Sequence, residues 1–464
     1  MNRRLLLPFL FFLSCISQHV VAQQATIKFS KNDIISDLDY LYQALEDAHI
    51  NLYAYATKQH LDSVYRDVRD AIRKDSLDQR EATNTFQHLV AAVNNGHTEV
   101  DFPISAYVNY AYNGGTLFPL ELAIENGHYF IRKNFSKANQ IEIGSELVRI
   151  NDEPIAQVIA SIYQIISAER LYFKNAKVEV FSFPRLYWQV FGEQKQFNVA
   201  IRQNDSIKNY TFAAVPVIDG YEAKREEILN ARMQLKFYTT AAYLNPGSFG
   251  GDIAKYQRFI DSAFAEINTR QTENLIIDLR NNSGGHDSFS DYLVAYIADK
   301  PFLWQSKFTI KSSSFLKAHV KAHNDTTDPY FKEILNHENG EIYTYPLPKY
   351  QPQPENKRYK GTVYVLINRQ SHSQATVTAA QIQDYNWGII VGEETGEYAT
   401  LYASQFQFSL PHTDIAVKCS KGQIIRINGS TKPQGVIPDI SINDHLLDED
   451  DEILNGLLDR ISKK

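Results

Sequence analysis

The chain has 464 residues, enough for about three domains at roughly 150 residues each, with 44% hydrophobic and 22% charged residues in ordinary globular proportion. That balance excludes collagen-like, low-complexity and wholly disordered chains. Lys and Arg number 47 against 54 Asp and Glu, a net charge of −7 without the basic excess of a nucleic-acid binder, and two cysteines exclude a disulfide scaffold and a cysteine-caged zinc.

The first 22 residues read MNRRLLLPFLFFLSCISQHVVA. Arg3 and Arg4 precede an apolar run from Leu5 to Ile16, and Val20-Val21-Ala22 supplies small residues before a cleavage point, the pattern of a secretory signal peptide. The apolar run is about 12 residues, short for a bilayer span. The alternatives are an uncleaved anchor and lipidation at Cys15, where Leu13-Ser14-Cys15 loosely resembles a lipoprotein cleavage site. A secreted or periplasmic mature chain beginning near Gln23 is expected, tied to a membrane only if Cys15 is lipidated.

Residues 23–114 are expected to form a helical N-terminal domain. Ser30 with Asp33 makes an N-cap pair, and Ile34, Leu38, Leu41 and Leu45 recur at helical spacing. Leu61, Val64, Val68 and Ile72 make a second stripe. Phe86, Leu89, Val90 and Val93 make a third, which stops at Asn94-Asn95-Gly96. Over 115–215 short alternating runs such as Tyr129-Phe130-Ile131 and Leu147-Val148-Arg149-Ile150, broken by Gly144 and the Asn151–Pro154 turn, predict a small β-rich domain. Over 235–445 strand and helix alternate. Leu275–Ile277, Val363–Ile367 and Gly388–Val391 read as buried strands, and Ala375–Tyr385 as the helix of a parallel βαβ unit. The polar, proline-bearing stretch 311–358 is expected to be a lid or surface excursion. Residues 446–464 start acidic and turn apolar, which suits a C-terminal helix.

Three distant segments carry residues with chemistry. Ser371-His372-Ser373-Gln374-Ala375 lies between a strand and a helix, where a hydroxyl sits among free backbone N–H groups, the setting of a serine nucleophile and also of a plain N-cap. Asp278–Gly285 follows a strand and ends in Gly284-Gly285, either a tight turn or a source of a second N–H near the same point. His97, in Asn95-Gly96-His97-Thr98, is a base for such a serine or a structural histidine. His319 and His323 have metal-ligand spacing without a third partner, and an acidic run at 448–452 lacks calcium-loop punctuation.

Together these segments resemble the tail-specific, or C-terminal-processing, serine peptidases. Leu275–Gly285 resembles that family's Asp-x-Arg-x-Asn-x-Gly-Gly run, and Ser371–Gly396 its nucleophile helix with the following Gly-Glu segment. Gly435-Val436-Ile437-Pro438-Asp439 resembles its closing Gly-Val-x-Pro-Asp, and Glu142–Asn151 the central strand and turn of its PDZ domain. The resemblance implies a mixed α/β, multidomain fold: a helical N-terminal region, a PDZ-like β-rich domain and a ClpP/crotonase-like core. It implies Ser373 as nucleophile, flanked by Ser371 and His372, and an oxyanion hole from the backbone of Gln374 and of Gly284 or Gly285. Tyr398 stands where the Ser–Lys branch keeps its lysine. Gly96-His97-Thr98 resembles the tricorn-like branch, which makes His97 the base. That branch's glutamate before Gly-Val-x-Pro-Asp is replaced by Lys432, a rival base, so the orienting acid is unassigned, with Glu393 and Glu394 as substitutes.

The resulting expectation is a secreted or periplasmic serine endopeptidase acting on polypeptides, captured through an extended segment or C-terminus, with no cofactor, metal or nucleic acid. A catalytically weakened binding protein on the same fold and an esterase or amidase are the alternatives.

Overall fold

The computed structural model describes residues 27–204 and 206–463, so the signal-like segment and Cys15 lie outside the described residues. Among the described residues no helix is long and apolar enough to cross a membrane. The architecture is mixed α/β with several sheets.

The N-terminal helices Lys31–Ala48, Lys58–Ala71 and Gln79–Ala91 begin where the sequence supplies caps. Ser30 with Asp33 and Asp78 with Glu81 form reciprocal capping boxes, and Thr57 accepts from the amide of His60. The first stripe, Ile34, Leu38, Leu41 and Leu45, is fully buried. Of the second, Leu61 and Ile72 are buried while Val64 and Val68 are only partly covered.

Residues 120–213 build an antiparallel sheet in the order Ser206–Ala213, Gln196–Gln203, Glu146–Ile150, His128–Asn134, Leu120–Glu125. Three helices interrupt it: Ile155–Tyr163, Leu171–Phe181 and Phe183–Phe191. The region is therefore less purely β than its short alternating runs predict. Val158, Ile159 and Ile162 are buried on one helix face, a stripe shorter than three turns that periodicity alone reads poorly.

The central sheet runs Met233–Phe237, Ala242–Pro246, Asn274–Asp278, Thr362–Ile367, Ile389–Gly392, Ile440–Ser441. All pairs after the first are parallel. Helices Ile253–Thr269 and Gln374–Asp384 cover one face. The C-terminal helix Glu452–Ser462 covers the other, setting Ile453, Leu457 and Ile461 against Ile276, Tyr364, Leu366 and Val391. Buried on both faces, the inner strands Asn274–Asp278, Thr362–Ile367 and Ile389–Gly392 are apolar runs.

A second sheet runs Ile342–Thr344, Lys307–Lys311, Ala416–Ile425, Leu401–Ser409. The stretch expected to be irregular instead contributes helices Ser314–His323 and Pro329–Asn336, whose Leu316, Val320 and Ile334 join the core beneath the N-terminal helices. Its polar surface hid a single i, i+4 pair, Leu316 and Val320, and one further anchor, Ile334, on the next helix. The short strand Glu99–Val100 also pairs with Ala416–Ile425, through Val100 opposite Val417. That pairing draws the segment just after His97 onto the core.

Candidate active site

The strands Asn274–Asp278, Thr362–Ile367 and Ile389–Gly392 are parallel neighbours, so the loops after them open at one edge of the sheet. These loops carry Gly284, Ser373 and Glu397. Ser373 heads helix Gln374–Asp384 with φ 54° and ψ −121°, a conformation rare for a residue with a side chain. Such strain costs about 1–3 kcal/mol and persists only where the surroundings impose it. Here the amide of Ser373 donates to Glu397 Oε2 at 2.6 Å, and the amide of His372 donates to Asn282 O at 3.0 Å. Ser371 is buried and committed to the loop, donating to Leu279 O at 2.8 Å and accepting from the Asn368 amide at 3.1 Å. Of the two serines, only Ser373 meets a histidine.

His97 comes from the opposite end of the chain. Its turn is closed by Thr98 Oγ1 donating to Asn95 Oδ1 at 2.9 Å, and Ser420 Oγ donates to the same oxygen at 2.7 Å. Gln405 Nε2 donates to His97 O at 2.8 Å. The imidazole is 3% exposed, and its Nε2 lies 3.0 Å from Ser373 Oγ, although the two residues are 276 positions apart. Its Nδ1 lies 2.8 Å from Oε1 of the fully buried Glu397. That approach is close but bent, since neither atom has a well-aligned hydrogen bond. Catalytic contacts without substrate are often misaligned in this way.

Electrostatics follow from burial and pairing. Burial opposes ionisation of Glu397, yet His97, His372 and the Ser373 amide outweigh it and hold the carboxylate down at about 2. Burial likewise opposes the charged form of His97, but Glu397 and then Glu169 raise its pKa above the ordinary histidine value. His372 stacks on His97 with ring centroids 4.9 Å apart, and burial pushes it down to about 4, so it is neutral at pH 7.

The loop ending in Gly284-Gly285 reaches the same point. A Cβ on Gly284, which has φ 82°, would fall 2.7 Å from both the Gln374 amide nitrogen and Ser373 Cβ, so only glycine allows this approach. The N–H of Gly284 donates to Asn282 Oδ1 at 2.8 Å, which commits that amide to the loop. Gln374, at the first helical position, has an amide without an intrahelical acceptor.

Glu397 is the residue that sequence reasoning missed. Glu393 is engaged by Arg369 at 3.4 Å and Glu394 by Arg170 at 2.7 Å, so neither is available to His97. Tyr398 packs edge-on against Tyr55 and beneath the Arg170 guanidinium. Lys432 is exposed in a surface groove with Gln383, Arg426 and Asp439. His319 Nδ1 donates to Gln407 O at 2.8 Å, and Asp451 of the acidic run caps the last helix and pairs with Arg280.

A strained serine at a helix head, a buried histidine on its hydroxyl and a buried carboxylate behind that histidine are the arrangement of a serine hydrolase. Residues 240–442, which hold Ser373, Glu397 and the Gly284 loop, match the family model described as Peptidase family S41. Over 188 residues the chain is 27% identical to a tail-specific protease of Haemophilus influenzae, a match covering 39% of this chain and 22% of that relative. It thus spans about a fifth of the relative's length. Two solved structures share the fold. Mature CPAF complexed with lactacystin has 15% identity and a TM-score of 0.63 over 93% of this chain and 97% of that one. Mature CPAF has 14% identity and a TM-score of 0.61 over 93% and 96%. The family match over 240–442 is to a peptidase family, and the two structures share the fold.

Proposed function

We propose that the chain is a serine endopeptidase that hydrolyses polypeptides with Ser373 as nucleophile, His97 as base and Glu397 as the orienting acid. The observation that carries this reading is the 3.0 Å approach of His97 Nε2 to Ser373 Oγ. Ser373 Oγ attacks the peptide carbonyl carbon as its proton passes to His97 Nε2. The N–H groups of Gln374 and Gly285 receive the oxyanion. Collapse of the tetrahedral species breaks the C–N bond, and His97 returns the proton to the leaving amine. Water, deprotonated by His97, then attacks the acyl carbon; the acyl–Oγ bond breaks, the carboxyl product leaves, and His97 returns the proton to Ser373 Oγ. Glu397 stays ionised throughout and stabilises the imidazolium.

The sheet over 120–213 is the proposed PDZ-like region, presenting an extended chain or a C-terminus by strand addition. Action outside the cytoplasm follows from the signal-like first 22 residues. The approach of Glu397 Oε1 to His97 Nδ1 at 2.8 Å supports the catalytic reading over a binding protein that lacks an orienting acid. A fluorophosphonate probe should label wild-type protein stoichiometrically and Ser373→Ala not at all. A wild-type protein that resists the probe and leaves unfolded polypeptides uncut would overturn the proposal. Hydrolysis of short esters without any cleavage of polypeptides would favour the esterase alternative.

A further inference from the structure

Glu169 is a half-buried residue with a buried Oε2 that the chemistry above does not use. It precedes helix Leu171–Phe181, in the region expected to be PDZ-like, and yet it reaches the turn that bears His97. Its Oε1 accepts from the Gly96 amide at 2.9 Å and from Asn95 Nδ2 at 3.3 Å. Its Oε2 is buried without a hydrogen-bond partner. The fit is tight, since a Cβ on Gly96 would lie 2.6 Å from the Phe173 ring and 3.1 Å from that oxygen. The next residue, Arg170, holds the other half of the site. Its Nε donates to Gly396 O at 2.9 Å and its Nη1 to Glu394 Oε1 at 2.7 Å, in the loop that carries Glu397. One dipeptide therefore grips both the base-bearing turn and the acid-bearing loop.

We propose that Glu169 is a positioning residue for His97, fixing the Asn95–Thr98 turn through the Gly96 amide while its unpartnered oxygen places a second negative charge against that turn. This rests on the reading of His97 as the base. The charged and titratable groups around the pair are Glu397, His372 and Lys177 near His97, and Tyr55, Tyr398 and Glu397 near Glu169. Burial and then Glu397 raise the pKa of Glu169 itself, so its charge is the point the test must decide. Lys177, whose Nζ donates to Gly96 O at 2.9 Å, opposes a charged imidazole, and Glu169 offsets it. An acid that only tied down the backbone would serve equally well as an amide, because an amide oxygen also accepts from Gly96. The charge is what distinguishes the proposal.

The test uses two substitutions. Glu169→Gln keeps the acceptor and removes the charge, so the pKa of His97, followed by NMR of its ring and assigned with His97→Gln, should fall by about one unit. The acid limb of kcat/KM should move down with it. Glu169→Asp keeps the charge and shortens the reach, so the limb should stay while kcat falls about tenfold at a KM within about twofold, as expected when only alignment is lost. An unmoved His97 pKa in Glu169→Gln, or wild-type kcat in Glu169→Asp, overturns the proposal. If Glu169→Gln does not fold, the Asp variant decides. The NMR titration needs no turnover. If Ser373 resists the fluorophosphonate probe the peptidase reading fails, while the His97 shift still judges Glu169.

Discussion

Replacing Glu397 with Gln preserves shape and removes the charge behind His97. At 2.8 Å, with an effective dielectric of about 20, a carboxylate and an imidazolium attract by about 6 kcal/mol. That interaction exists only once His97 has taken the Ser373 proton, so it acts on the transition state and not on the resting enzyme. At 1.36 kcal/mol per decade it corresponds to about four decades in rate, the size of loss found when the triad acid of other serine peptidases becomes an amide. The burial that opposes a charged imidazole stays in place, so the pKa of His97 should drop below the ordinary histidine value of about 6.5. The assay is the second-order rate of fluorophosphonate labelling from about pH 5 to 9. Wild type should lose reactivity as pH falls through a His97 pKa above about 6.5, since the base must be neutral to act. Glu397→Gln should label about 10⁴-fold more slowly, with its acid limb displaced to lower pH. Labelling at the wild-type rate, or an unmoved limb, would refute the assignment of Glu397. A melting curve that shows the variant folded at the assay temperature separates lost chemistry from unfolding.

Ser373→Ala should eliminate turnover by about 10⁴-fold or more with the fold retained. Ser371→Ala should instead lower the melting temperature, because it strands the Asn368 amide and Leu279 O at a cost of about 1–3 kcal/mol, read by calorimetry. Gly284→Ala should cut the labelling rate at least about 10²-fold, since the added carbon lands on the Gln374 amide and Ser373 Cβ and forces the loop away from where the oxyanion would form. Tyr398→Phe and Lys432→Ala should each keep most activity in a polypeptide-cleavage assay while His97→Ala loses nearly all. A Lys432→Ala variant as dead as Ser373→Ala would return the lysine to the role of base.

The parallel core was legible in the chain because its strands are buried on both faces, which writes Leu275–Ile277 and Val363–Ile367 as unbroken apolar runs. The first helix was legible for the same local reason, a stripe of Ile34, Leu38, Leu41 and Leu45 behind a capping box. Ser373 and His97 were nominated by segments whose order resembles a family, and Gly284 by a glycine pair after a strand. What the sequence could not decide was the acid. Glu393, Glu394 and Glu397 stand within five positions, and nothing in one dimension tells them apart. The choice is made by partners far away in the chain: Arg369 takes Glu393, Arg170 takes Glu394, and the turn around His97, held on the core by the pairing of Val100 with Val417, arrives at Glu397. Glu169 and the committed amide of Gly284 were hidden for the same reason. Local patterns report which face of an element is buried. Which charged side chain meets which partner depends on contacts between residues hundreds of positions apart, and those exist only after the sheets have assembled.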